Sequence, residues 1–313
     1  MTVLRVYSNN VVQCRWFSGN DMRVDMLPLA TLKEMVTSSP LLAAPYGAAS
    51  GARRYGARKD AADVRDLRLS LSALSPLPTP PSHDESRWLG PVRDQGAESS
   101  CVGHAWAAHA SWLFNKFGDK GSLDFSPQFL YYLARQLEGT LPADGGCQVR
   151  SGAKALNQYG AALETDDPYE ASTLNQAPTI AAVKDALNFK GGAYHRLTSV
   201  LDMKACLASG YAFVDGIEVY ASFESAAVAR SGEVPLPNAA AGEFYLGGHC
   251  VLTFGYDDNH VNLDSTRGAF HKRNSWGAAW GEGGDFWLPY AYMQKYLMDA
   301  WVLHLGPAWV KKP

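Results

Sequence analysis

One stretch of the chain, Gln95-Gly-Ala-Glu-Ser-Ser-Cys101, constrains the fold more than any other. Pro91 and Gly96 interrupt regular structure around it, and Ser100 is a residue type favoured as a helix N-cap. An alanine-rich apolar run then continues through Phe117. The sequence therefore predicts a helix over residues 101–117 with a cysteine in its first turn.

A cysteine at this place has two interpretations. The helix dipole and the free N–H groups of the first turn favour a thiolate, which is the nucleophilic form. Free cysteine is also among the most buried residue types, so a small apolar residue at a buried helix start is the alternative. Gln95 favours the first interpretation, because its amide and the Cys101 backbone N–H can face one developing oxyanion.

Two downstream motifs add to this pattern. They are Gly247-Gly-His249-Cys-Val-Leu-Thr-Phe-Gly-Tyr256 and Lys272-Arg-Asn274-Ser-Trp276-Gly-Ala-Ala-Trp280. Together with the Gln–Gly turn before Cys101, they resemble the papain-like cysteine peptidases across roughly residues 82–305. His249 follows Cys101 by 148 residues (249 − 101), within the roughly 130–150 typical of that family.

The resemblance implies an α+β fold of two lobes, with a helical left lobe, an antiparallel β-barrel-like right lobe and the active-site cleft between them. The expected peptidase domain is 82–313, with its helical lobe at about 96–190 and its β lobe at about 191–308. Local patterns agree with this division. Helices are predicted at 101–117, 125–134, 151–159 and 202–208, and strands at 211–220, 250–256, 269–273 and 285–288.

The resemblance also implies the roles of four residues. Cys101 is the expected nucleophile, His249 the base that later protonates the leaving amine, and Asn274 the group that orients the imidazole. Gln95 is expected to stabilise the oxyanion. No metal and no cofactor are expected, since no Cys-x-x-Cys or His-x-x-His pair occurs.

Five further residues are expected to bind substrate or to shape the cleft. Glycine permits close approach of a substrate backbone, and Trp276 is expected to shield the Asn274–His249 contact from water, with Trp280 beside it on the leaving-group side. The expected substrate-binding residues are Gly145, Gly146, Gly248, Trp276 and Trp280.

The chain departs from the family pattern near the nucleophile. Glu98 occupies the position of a cysteine that secreted members pair in a disulfide, which suits a reducing compartment and a bacterial-type member. Glu98 is expected to place a negative charge near the cleft entrance and to disfavour acidic substrates. Ser99 replaces a glycine, and Val102 an aromatic residue. His104 and His109 are expected to be buried, hydrogen-bonded histidines.

Composition excludes several classes of partner. The net charge is −3, with 28 basic and 31 acidic residues and no basic stripe, so nucleic acid is not an expected partner. No run is apolar enough for a membrane span, and no secretory signal peptide is seen. We expect a monomer that acts on a peptide or protein substrate, either cytoplasmic or exported by a non-classical route.

Residues 1–81 do not resemble the catalytic body. A possible helix at Met26–Met35 precedes a small-residue linker at 41–52, and prolines exclude regular helix at 75–81. Two interpretations stay open: an inhibitory segment that lies along the cleft, as in a zymogen, or a fixed structural extension.

Two other functions compete with a peptidase. Thiol acyltransferases also use cysteine and histidine, but they usually orient the histidine with aspartate, so Asn274 favours the peptidase. A catalytically silent peptide-binding protein on the same fold is the other alternative. Inactive relatives typically lose the cysteine or the histidine, whereas both are present here.

Overall fold

The computed structural model of the protein describes residues 2–6, 11–18, 21–28, 53–68, 79–118 and 121–305. These residues belong to two compact units, one spanning Met1–Gly47 and the other Ala48–Pro313.

The first unit contains a three-stranded antiparallel sheet. Its strands follow one another in chain order as β1 (Thr2–Val6), β2 (Val11–Ser18) and β3 (Asp21–Pro28). The helix predicted at Met26–Met35 is wrong in its first three residues, because these residues end β3 and pair with β2. The rest of that predicted helix lies outside the described residues.

The second unit has the α+β composition that the sequence predicts. Short 3₁₀ turns, among them Ser86–Trp88 and Ala221–Glu224, connect its longer elements. In chain order these are β4 (Ala57–Arg58), β5 (Ser82–Asp84), α1 (Cys101–Phe117), α2 (Pro127–Glu138), β6 (Cys147–Gln148), α3 (Val149–Tyr159), α4 (Ile180–Ala186), β7 (Gly191–Arg196), α5 (Val200–Ala208), β8 (Phe213–Tyr220), α6 (Ala226–Ser231), β9 (Tyr245–Val261), β10 (Arg267–Arg273), β11 (Asp285–Pro289), α7 (Tyr290–Tyr296) and β12 (Leu297–Leu305).

The helical lobe is built around α1, which the structure begins and ends where the sequence predicts. Helix α2 is fixed at both ends by local chemistry. The Ser126 hydroxyl accepts a hydrogen bond from the Phe129 N–H, and Gly139 takes a left-handed conformation that closes the helix. Phe114 and Phe125 are buried beside these helices, and each contributes about 1.5–3 kcal/mol to folding.

The β lobe is a seven-stranded antiparallel sheet. Its strand order is β11-β10-β9-β8-β12-β7, with β5 pairing on β9. In the part of the chain that the structure describes, β11 and β7 do not pair with each other, so the sheet is open and not the closed barrel that a barrel-like lobe suggests.

The sheet separates two hydrophobic cores. Side chains of a strand alternate between its faces, so neighbouring residues enter different cores. Val214 and Leu252 contribute to the core shared with the helical lobe, whereas Phe213 and Val251 contribute to the core of the β lobe. The helices therefore share a core with one face of the sheet, and the opposite face packs in the second core.

A buried ion pair crosses three strands inside the β lobe. The Lys272 amine donates to both carboxylate oxygens of Asp215, at 2.8 and 2.7 Å, and to the Thr253 hydroxyl at 2.6 Å. Both charged side chains are fully buried, so breaking one partner of such a pair typically costs about 3–5 kcal/mol. The pair fixes the register of β8, β9 and β10 just behind the cleft.

No helix among the described residues is both long enough and apolar enough to cross a membrane.

Candidate active site

Cys101 is the first residue of α1 and is fully buried at the cleft. Its sulfur lies against backbone N–H groups of Cys250, Gly56 and Ala57. Cys250 follows His249 in β9, so the strand that carries the imidazole also contacts the Cys101 sulfur through the Cys250 backbone.

His249 and Asn274 are joined directly. His249 Nε2 lies 2.8 Å from Asn274 Oδ1, and the same oxygen accepts a hydrogen bond from the Ser275 backbone N–H at 2.8 Å. These two contacts fix the orientation of the amide, with its oxygen toward the imidazole. His249 Nδ1, the nitrogen on the other side of the ring, has no hydrogen-bond partner among the described residues.

Burial keeps both reactive groups uncharged. Burial raises the pKa of the Cys101 thiol to about 11, although nearby backbone N–H groups act in the opposite direction. Burial also lowers the pKa of His249 to about 4, against the effect of the Asn274 hydrogen bond. At neutral pH the pair is therefore a thiol and a neutral imidazole.

Gln95 is held on three sides. Its backbone N–H donates to the Ser275 carbonyl at 2.9 Å, and its side-chain oxygen accepts from the Ser275 hydroxyl at 2.7 Å. The side-chain N–H group donates to the carbonyls of Glu98 at 2.8 Å and Arg54 at 3.2 Å. The Arg54 carbonyl thus accepts a hydrogen bond from the Gln95 side-chain N–H group, the donor that is predicted to stabilise the oxyanion.

Two of the three glycines that the sequence predicts to bind substrate make room for a backbone in the cleft. A Cβ at Gly146 would lie 1.8 Å from the Gly56 carbonyl oxygen, and one at Gly248 would lie 2.2 Å from the Ala57 carbonyl oxygen. Gly145, by contrast, has open space around it. Of the predicted substrate-binding glycines, Gly146 and Gly248 directly contact a chain segment in the cleft.

An aromatic wall stands beside His249. The Trp276 ring lies 5.0 Å from the His249 ring and 5.2 Å from the Trp280 ring, measured between centroids. Phe223, which the sequence does not single out, stacks on Trp280 at 5.7 Å and contacts Trp276 at 5.4 Å. Phe223 belongs to the 3₁₀ turn Ala221–Glu224, which follows β8.

Residues 53–58 fill the cleft; we call residues 53–68 the cleft segment. Strand β4 pairs in parallel with β6, and the Cys147 N–H donates to the Gly56 carbonyl at 2.9 Å. Before the strand, Arg53 pairs with Asp94, and Arg54 Nη1 lies 3.1 Å from an Asp144 carboxylate oxygen. The segment thereby covers the Cys101 thiol from the solvent side.

Tyr55 fills the space beside His249. Its ring meets the His249 ring edge-on at 6.1 Å and the Trp276 ring at 6.2 Å, and its hydroxyl donates to Glu224. Burial and the Glu224 charge raise the pKa of Tyr55, so the phenol stays protonated.

A cluster of charges anchors the far end of the cleft segment. Asp60 accepts hydrogen bonds from the Arg150 backbone N–H at 3.0 Å and from Trp301 Nε1 at 2.6 Å. Arg196 reaches Asp60, Asp66 and Asp299 from β7. Helix α3 of the helical lobe and strands β7 and β12 of the β lobe all take part in this anchor.

The residues that depart from the family pattern have roles that the sequence does not reveal. Glu98 is buried and accepts a hydrogen bond from the Tyr169 hydroxyl at 2.8 Å, and its effect on acidic substrates stays a prediction. His104 is buried, and its Nδ1 lies 3.1 Å from the Ser100 carbonyl. Its Nε2 has no partner among the described residues, so only half of the expected hydrogen bonding is found.

Sequence reasoning misses Tyr55, Glu224, Asp60 and Asp144. The one available signal is the run Gly51-Ala-Arg-Arg-Tyr-Gly-Ala-Arg58, where aromatic and basic residues interrupt a small-residue stretch.

A two-lobed α+β fold with a thiol at a helix N-terminus and an imidazole bonded to an asparagine defines the class of papain-like cysteine proteases. The model of the family described as papain family cysteine protease matches residues 79–299. The chain therefore belongs to the papain family of cysteine proteases.

Two similar proteins show how much of the chain is shared. An uncharacterized peptidase C1-like protein of Acanthamoeba polyphaga mimivirus is 32% identical over 221 residues, covering 67% of this chain and 68% of that protein. Cysteine proteinase 1 of Entamoeba histolytica is 28% identical over 201 residues, covering 62% of this chain and 58% of that protein.

Solved structures agree on the fold. Xylellain, a cysteine protease from Xylella fastidiosa, superposes with a TM-score of 0.70 at 32% identity, covering 80% of this chain and 96% of xylellain. A procathepsin B from Trypanosoma congolense superposes with a TM-score of 0.56 at 19% identity, over 75% of this chain and 80% of its own, and supports the fold alone.

Proposed function

We propose that this papain-family protein is a latent cysteine peptidase that hydrolyses peptide bonds with Cys101, His249, Asn274 and Gln95. The observation that carries the proposal is the 2.8 Å contact between His249 Nε2 and Asn274 Oδ1. This contact leaves His249 Nδ1 as the ring nitrogen that can exchange a proton. The next residue in the chain, Cys250, contacts the Cys101 sulfur through its backbone N–H.

Acylation follows from this arrangement once the cleft is open. His249 Nδ1 takes the proton of the Cys101 thiol, and the sulfur attacks the carbonyl carbon of a peptide bond. The resulting oxyanion accepts hydrogen bonds from the Gln95 side-chain N–H and the Cys101 backbone N–H. One such donor typically contributes about 3–4 kcal/mol to transition-state stabilisation.

The next steps return the enzyme to its starting state. The imidazolium donates its proton to the leaving amine, the C–N bond breaks, and a thioester joins the acyl group to Cys101. A water molecule then loses a proton to His249 and attacks the thioester carbon. Collapse of this second intermediate releases a carboxylic acid, and the thiol regains its proton.

The cleft segment supports latency. The Arg54 carbonyl accepts a hydrogen bond from the side-chain N–H of Gln95, and the Gly56 carbonyl accepts one from the backbone N–H of Cys147. The oxyanion of the proposed mechanism needs the Gln95 donor, so the segment and a bound substrate exclude each other. Residues 53–68 are thus the proposed inhibitory part of the N-terminal region, and residues 82–313 the proposed peptidase domain.

Labelling by a peptide-like epoxide that alkylates activated thiols tests this function. The full chain is folded, cut at a protease site engineered between residues 69 and 78, and separated from the released N-terminal piece. We expect the cut protein to be labelled stoichiometrically at Cys101 and the uncut chain to be labelled at least tenfold more slowly.

Two histidine variants make the test specific. His249→Ala is expected to abolish labelling of the cut protein, because the base is lost. His109→Ala serves as its matched control, since His109 is also fully buried but bonds to the Ala212 carbonyl, away from the cleft. Failure of the cut, folded protein to react at Cys101 would overturn the proposal in favour of a silent binding protein.

A further inference from the structure

The pocket that holds the Tyr55 ring is built by the enzyme body and not by the cleft segment. Gly247 leaves the space for it, because a Cβ there would lie 2.5 Å from the Tyr55 Cβ. Trp276 forms the wall, and it is fixed in turn by Phe223 and Trp280, all of them buried. The pocket therefore keeps its shape when the segment leaves.

A carboxylate stands at the end of this pocket. Glu224 directly follows the fully buried Phe223 in the turn Ala221–Glu224, so the packing of Phe223 holds its backbone in place. Among the described residues, the Tyr55 hydroxyl is the only hydrogen-bond donor to the Glu224 carboxylate. When the cleft segment leaves, Glu224 loses this donor and becomes available to another.

The position of the pocket relates it to the reaction. His249 gives its proton to the leaving amine in the proposed mechanism, and the His249 ring is one wall of the pocket. The residue that carries the leaving amine is the residue directly after the scissile bond. Its side chain is thus the part of a substrate that this pocket can receive.

We infer that Glu224 is a specificity-determining residue, which selects substrates with tyrosine directly after the scissile bond. The inference rests on the proposed peptidase function. Tyr55 itself shows which chemistry fits: an aromatic ring against the edges of His249 and Trp276, with a hydroxyl that donates to the carboxylate.

Phenylalanine fills the same space without the hydroxyl, so it leaves the half-buried Glu224 carboxylate without this donor. A site built to hydrogen-bond a substrate hydroxyl discriminates strongly against the analogue that lacks it. Aspartate and glutamate at this position are repelled by the like charge. We therefore expect tyrosine to exceed phenylalanine in kcat/KM by about tenfold, and the acidic residues to be the poorest.

The test uses the full chain, folded and then cut and separated as above, with its active sites counted by the epoxide. Peptides that differ only in the residue after the scissile bond carry tyrosine, phenylalanine, lysine or glutamate there, and mass spectrometry verifies the cleaved bond. We expect the tyrosine-to-phenylalanine ratio of about ten to fall to about one in Glu224→Ala and to be partly retained in Glu224→Gln.

Glu233→Ala is the matched control, because Glu233 is a carboxylate of the same lobe that pairs with His260, 3.0 Å away, and not with Tyr55. It is expected to keep the ratio of the unsubstituted protein. Equal rates for tyrosine and phenylalanine in a fully titrated enzyme would overturn the inference and leave the peptidase standing. A preference for lysine would overturn the assignment to a phenol. A protein that no epoxide titrates would overturn the proposed function itself.

Discussion

At the scale of single residues, the uncharged state of Cys101 and His249 is a consequence of where they are buried. The cleft segment removes water from both, and a desolvated group avoids its charged form. Cys101 has its pKa raised to about 11 and His249 has its pKa lowered to about 4, so no thiolate–imidazolium pair exists in the covered site. Reactivity thus depends on exposure and not only on which residues are present.

This predicts the pH dependence of alkylation. In the full chain, Cys101 should react slowly with iodoacetamide at pH 7, and its rate should keep rising toward pH 11, because only the thiolate reacts. After cutting and separation, the rate at pH 7 should rise at least tenfold and depend on His249. Mass mapping of Cys101 against buried Cys206, an internal control, measures both rates. Equal rates in the covered and released proteins at pH 7 would contradict this account.

At the scale of elements, the cleft segment packs closely against the backbone of the enzyme body, and at Gly56 this contact leaves no room for a side chain. Gly56 lies against Ser99, and a Cβ at Gly56 would lie 1.8 Å from the Ser99 carbonyl oxygen. Ser99 cannot yield easily, because its N–H and its hydroxyl are both hydrogen-bonded to Asp144. Docking of the short strand β4 therefore requires a glycine at position 56, directly before the strand.

Gly56→Ala should displace the segment while leaving the enzyme body folded. Overpacking of this kind costs about 1–3 kcal/mol, which corresponds to roughly a 5- to 150-fold larger open population. Epoxide labelling of Cys101 in the uncut chain should accelerate by that factor, and hydrogen exchange should increase over residues 53–68. Lys59→Ala, an exposed neighbour in the same segment, is the control and should change neither. Unchanged labelling in Gly56→Ala would show that the segment does not govern access.

At the scale of the whole catalytic unit, the same segment ties the helical lobe to the sheet. Asp60 contacts the backbone of Arg150 in α3 and the indole of Trp301 in β12, while its own N–H donates to Asp299 at 2.7 Å. Burial, followed by the nearby Asp299 charge, raises the pKa of Asp60 from 3.8 to about 6. Between pH 3.8 and about 6 the docked state therefore holds a proton at Asp60 that the undocked state has released.

The sign of the resulting pH effect follows from linkage. Between pH 3.8 and about 6 the docked state binds more protons at Asp60, so this residue favours docking most at low pH and loses that contribution as the pH rises through 6. The full effect is at most about 3 kcal/mol. The Tm of the full chain relative to Asp60→Asn should thus be higher at pH 4.5 than at pH 7.

Asp63→Asn is the control for this pH series, because the Asp63 side chain pairs only with Arg65 in the described part of the chain and this pairing lowers its pKa, away from the range tested. Its Tm difference from the unsubstituted protein should be flat over the same range. If the unsubstituted chain instead gained stability relative to Asp60→Asn as the pH rises from 4.5 to 7, Asp60 would be charged in the docked state and the account would be wrong.

Much of the fold and the family membership could be predicted from short-range chemistry. The Ser126 cap, Pro127 and the closing Gly139 determine α2 within a dozen residues, and the alanine-rich run after Cys101 determines α1. The motifs around Cys101, His249 and Asn274 identify the family because each is a short run of consecutive residues that can be read directly from the sequence.

Only the tertiary structure decided what covers the site. Tyr55 meets Glu224 across 169 residues, and Asp60 meets Trp301 across 241 residues. No local sequence pattern predicts either pair, since an isolated tyrosine or aspartate in a Gly/Ala-rich stretch is as compatible with exposure to solvent as with burial. The sequence by itself determined which groups can perform the chemistry. Whether they are exposed and charged depends on desolvation by a distant segment, which exists only once the lobes and the segment have packed together.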